Sequence, residues 1–158
     1  MFDTLHQVAG VTPEFKNYPT GLRAAQLPVE RIESRRKRKA ESAPDQFLSL
    51  FGKPQRQLVC ECERSTETTM GQAFQMISGP GVNDLITRSD NRLNTLLSSG
   101  KSNPEIIQEL YWTALTRAPS AAETAAATRH LATTHDRRTA LEDLLWGLLN
   151  AKEFILRR

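Results

Sequence analysis

The chain has 158 residues, 39% of them hydrophobic, and carries 21 Lys and Arg against 18 Asp and Glu, a formal net charge of +3 at pH 7. That length fits one domain or a piece of a larger one, with enough apolar residues for a packed core where they are concentrated. The positive charge is local, because Arg31, Arg35, Arg36, Lys37, Arg38 and Lys39 form one run offset only by Glu33 and the remainder is slightly acidic; this describes a patch or tether and excludes a generally cationic protein.

No run of about 18 apolar residues is present, so the sequence contains no membrane-spanning helix. Residues 1–10 lack the basic start and apolar centre of a secretion signal. Two settings remain: action in the cytoplasm, or membership of a longer exported protein whose signal lies upstream. Two cysteines are too few to define a disulfide framework and do not separate these settings.

In chain order, Pro13, Pro19, Pro28, Pro44 and Pro54 recur too closely for long helices, since each removes a backbone donor and restricts the residue before it. Residues 1–64 are therefore expected to be an extended, irregular segment that packs on the rest of a larger domain. Within it, Phe47, Leu48, Leu50 and Phe51 suggest one helical turn anchored on a core, and the basic run suggests a solvated loop. After Arg64 the period becomes helical. Met70, Ala73, Phe74 and Ile77 share one face, and Gly79-Pro80 stops that helix. A short turn through Val82, Leu85 and Ile86 follows, and Asp90 is positioned to cap a helix carrying Leu93, Leu96 and Leu97.

Ser102 and Glu105 have capping-box spacing around Pro104, which fits a first helical turn. Ile106, Ile107, Leu110, Tyr111, Ala114 and Leu115 form a continuous stripe behind them. Ser120 and Glu123 repeat the box for an alanine-rich helix through His130 and Leu131. A last helix starts near Asp136, presents Leu141, Leu144, Leu145, Leu148 and Leu149, and ends near Asn150, with Phe154 and Ile155 folding back. Each buried Leu or Ile contributes roughly 1.5–3 kcal/mol before entropy is subtracted. The expected fold is all-α: a small helical bundle over about residues 65–158, preceded by the extended, proline-punctuated and basic segment.

Chemistry-bearing residues are sparse. Cys60 and Cys62 form a C-x-C pair, but a zinc site would need two further ligands from His6, His130 and His135, and the spacing of His130 and His135 turns them about 140° apart on a continuous helix. A disulfide or unreactive thiols fit the pair better. The C-x-x-C-H signature of covalent haem is absent, as are a phosphate loop, a nucleophile elbow and a His-Glu metal helix. Glu61, Glu63 and Arg64 can be read as an acid–base pair with an anion-binding arginine, or as ion pairs pinning the extended segment to the bundle; the second reading needs no pocket. Arg35, Arg36, Lys37, Arg38 and Lys39 could hold a polyanion through phosphate or carboxylate contacts, although no aromatic residue lies close enough to stack bases. Trp112 and Trp146 sit beside their helices' apolar stripes, where they either widen the core or face another domain.

The string Cys60-Glu61-Cys62-Glu63-Arg64-Ser65, followed by Gln72-Ala73 and Gly79-Pro80, resembles the C-terminal half of the planctomycete-type family of domain of unknown function 1553. Residues 47–56 (FLSLFGKPQR), 110–123 (LYWTALTRAPSAAE) and 144–154 (LLWGLLNAKEF) are similar to it as well. The resemblance implies a large exported protein, with upstream domains as partners and in some members a cytochrome-c-like haem domain upstream. It transfers no activity and no catalytic residue. The expectation is a C-terminal helical module that packs against and positions the rest of an exported multidomain protein. The alternatives are an enzyme part completed by upstream domains, and polyanion binding through the basic loop.

Overall fold

A computed structural model describes residues 1–15, 18–27, 43–53 and 69–156. Among them the regular structure is entirely helical: α1 (Phe2–Ala9), the 3-10 turn η1 (Ala24–Gln26), α2 (Ala43–Leu50), α3 (Met70–Ser78), α4 (Pro80–Thr87), α5 (Arg92–Ser98), α6 (Asn103–Leu115), α7 (Ala121–Thr133), α8 (Arg137–Leu149) and the short α9 (Lys152–Ile155). The all-α expectation therefore holds.

Helix α8 is the hub. It packs against α4, α5, α6, α7 and α9, and its Leu141, Leu145 and Leu149 are almost wholly buried against Leu93 of α5 and Ile106, Ile107 and Leu110 of α6. Leucines at i, i+4 and i+8 define the apolar stripe that such a helix turns inward. Phe154, on α9, closes the end of the same core.

The termini follow the capping chemistry. Ser120 Oγ accepts from the Glu123 N–H at 3.3 Å and Glu123 Oε2 accepts from the Ser120 N–H at 2.7 Å. The Ser102 N–H likewise donates to Glu105 Oε2 at 2.8 Å, and Asp136 Oδ2 accepts from the Thr139 N–H at 2.8 Å to start α8. Each satisfies a backbone donor that a helix start leaves open.

Three expectations are revised. Helix α5 is capped by Asn91, whose Oδ1 accepts from the Asn94 N–H at 2.9 Å. Asp90 is instead held by a bidentate pair with Arg88 at 2.7 Å. Asn91 wins because it is buried and its Nδ2 also donates to the carbonyls of Leu85 and Ile86, joining the end of α4 to the start of α5. The turn expected after Gly79-Pro80 is the two-turn helix α4. Pro80 occupies its first position, where a missing N–H is harmless, so the dipeptide ends one helix and begins the next.

The largest revision is at the N-terminus. Residues 2–9 form α1, and Phe2, Leu5, Val8 and Ala9 are buried in the same cluster as Val82, Leu85 and Leu93. Phe15 and Phe47 join them, with the Phe2 ring 5.5 Å from each. Their burial keeps residues 2–9 from running extended over the surface. Residues 11–15 and 18–23 are neither helix nor strand, and α2 spans two turns with Pro44 near its start.

Candidate functional site

An apolar face on α3 is the feature the fold leaves unexplained. Of the residues expected to line that helix's apolar side, Met70 is 73% exposed, Phe74 63% and Ile77 52%, while the residue buried instead is Met76. Their spacing of i, i+4 and i+7 stacks them along one side of the helix. Three contacts set this orientation. The Gln72 side-chain amide donates to the Leu50 carbonyl at 2.9 Å, α3 packs against α2 and α4, and the Trp146 indole N–H donates to the Ile77 carbonyl at 3.0 Å. The stripe is thus held outward by its back and by its C-terminal end.

Leu50, 37% exposed, lies against the first turn of α3 and Trp146, also 37% exposed, against its last, extending the apolar surface at both ends. Trp112, on α6, is 51% exposed. Neither tryptophan fills the core, so the core-widening reading does not hold. The face-bearing helix α3 (MGQAFQMIS) contains no charged residue.

A second cluster joins two of the stretches singled out in the sequence. Arg117, in the turn between α6 and α7, donates to both carboxylate oxygens of Glu123 at 2.8 and 2.7 Å and to both of Glu153 at 2.9 Å. Its guanidinium carbon lies 5.6 Å from the centre of the Tyr111 ring. The paired guanidinium, together with the Ser120 N–H, holds the Glu123 carboxyl down to about 2, and the same arginine lowers Glu153. Every guanidinium donor direction is occupied, the last by the Ala118 carbonyl, so the arrangement fastens α9 to the α6–α7 turn. Its sequence signal was an Arg followed by a capping box, with the distant Glu153 identifiable only once α9 folds back.

The residues named from sequence chemistry fall elsewhere. Cys60, Glu61, Cys62, Glu63 and Arg64, and Arg35, Arg36, Lys37, Arg38 and Lys39, lie outside the described residues. Of the three histidines, His130 Nε2 is 3.1 Å from Asp143 Oδ2 across α7 and α8, His135 lies in the turn between them, and His6 contacts the Phe2 carbonyl through Nδ1. Among the described residues, no three His, Cys, Asp or Glu side chains gather as a metal-binding group. No described helix is long and apolar enough to cross a membrane.

Among the described residues, a helical domain with an outward apolar face on α3 is the class that fold and surface define. Residues 14–131 match the family described as PSD1, protein of unknown function (DUF1553). The chain belongs to that family. The match takes in α2 to most of α7, whereas α1, α8 and α9 lie outside it. No curated protein and no solved structure matches the chain.

Proposed function

We propose that this chain is a C-terminal helical module of a larger exported protein, and that it acts by packing the α3 face against the remainder of that polypeptide and holding it in position. The observation that carries the reading is the stripe of Met70, Phe74 and Ile77, flanked by Leu50 and Trp146 and without a charge along its helix. Contiguous exposed apolar surface of this kind marks a contact with another polypeptide. Aromatic residues and methionine are enriched at such contacts and charges are depleted at their centres. Membership of the DUF1553 family supports the same reading through the multidomain, exported character that the sequence resemblance implies.

The test is made in cells that produce the protein. An antibody against this chain should detect a polypeptide well above 17.8 kDa in the cell envelope. In that polypeptide Phe74→Asp should increase protease sensitivity, while the 158-residue chain carrying the same change should melt as the unaltered chain does. A band at the mass of this chain alone, or equal effects of Phe74→Asp in both contexts, would overturn the reading.

A further inference from the structure

On the side of the molecule formed by α1, a cleft of about 390 Å³ opens between that helix and the segment leading to η1. Asp3 builds it. Its Oδ1 accepts from the Ala24 N–H at 2.7 Å and its Oδ2 from the Ala25 N–H at 3.0 Å, tying η1 across the first turn of α1 and committing both carboxylate oxygens. The left-handed turn at Gly10 closes the other end of α1, where Arg92 donates to the carbonyls of Val8 and Gln7.

Asp3 and His6 are committed to backbone partners, and three other polar residues of the lining are not. Arg88, Arg92, Arg117, Arg137 and Arg138 all direct their guanidinium groups to protein acceptors. Arg23, which lines the cleft, makes no such side-chain bond within the described residues, and neither do Gln7 and Thr12, which line it too. His6 has its Nδ1 placed to donate to the Phe2 carbonyl at 3.1 Å, and burial lowers its pKa, favouring the neutral ring. Val11 and Pro13 supply apolar wall. The volume suits a small organic molecule, and a guanidinium, an amide and a hydroxyl lining one cleft suit a carboxylate.

We propose that this cleft binds a small organic monocarboxylate, its carboxylate on Arg23, Gln7 and Thr12 and its hydrocarbon body on Val11 and Pro13. Phosphate has no hydrocarbon body to set against Val11 and Pro13, which favours a monocarboxylate over it. The site is separate from the α3 face and does not depend on the role assigned to that face.

Titration of the 158-residue chain with isobutyrate and with benzoate, followed by backbone amide NMR, tests this. Saturable shifts confined to residues around His6, Gln7, Thr12 and Arg23 are expected, with inorganic phosphate binding more weakly. Arg23→Gln, an exposed position, should keep the remaining spectrum unchanged and weaken carboxylate binding about ten-fold or more, the loss of a charge-assisted hydrogen bond. Thr12→Val should weaken it by a smaller factor. Shifts that never saturate, that are spread over the surface, that follow phosphate as strongly as carboxylate, or that persist unchanged in Arg23→Gln would overturn the assignment.

Discussion

At Gly10 the backbone turns left-handed, with φ at 70°, and its N–H and that of Val11 close onto the carbonyls of Gln7 and His6 at the end of α1. A side-chain carbon there would stand 2.9 Å from Arg92 Cβ, so both conformation and space call for glycine. Gly10→Ala should therefore destabilise the chain by about 1–2 kcal/mol, read as a lower chemical-denaturation midpoint. Arg117 gives a second expectation at this scale. Glu123 is depressed from the usual 4.5 to about 2 in the folded chain. A carboxylate with a depressed folded pKa adds stability that is complete above its unfolded value and disappears as pH falls through the folded one. The stability difference between the chain and its Arg117→Gln variant should be largest near neutrality, shrink between pH 4.5 and about 2, and also narrow with added salt, because the pairs are solvent-exposed. A difference independent of pH would contradict the role given to these ion pairs.

Among elements, α3 and α8 present opposite uses of the same pattern. Leu145 is 1% exposed at the centre of the α8 stripe, whereas Phe74 is 63% exposed on α3. Leu145→Ala should cost about 2–5 kcal/mol, and Phe74→Ser should stay within about 0.5 kcal/mol in the isolated chain, both measured as denaturation midpoints. Comparable losses would mean that the α3 face is part of the core. Periodicity located both stripes correctly, but it registers which side chains share a face and not what covers that face. The outward turn of α3 depends on contacts distant in sequence, from Gln72 to Leu50 and from Trp146 to Ile77. Local capping was the most legible layer, with Ser102, Ser120 and Asp136 each starting the helix expected of it. Asp90 was displaced by Asn91 because the cap is buried and must also donate to two carbonyls, which a carboxylate does not do.

For the whole molecule, the core reaches from Phe2 to Phe154. The leucine-rich second half was readable as a bundle because long stripes recur with short linkers. Helix α1 was not read, although Phe2, Leu5 and Val8 fall on one helical side, since eight residues ahead of a proline-rich stretch carry little periodic signal. Its burial comes from partners around 80 positions away: Val82, Leu85 and Leu93. The candidate interaction face was half legible, its residues correctly grouped and its exposure set by tertiary packing. The central claim is that this face is covered in the larger polypeptide, and peroxide oxidation of the methionines tests it most directly. In the isolated 158-residue chain Met70, 73% exposed, should oxidise much faster than Met76, 4% exposed. In the polypeptide purified at its native length, Met70 should slow to a rate close to that of Met76. Equally fast oxidation of Met70 in both would contradict the account.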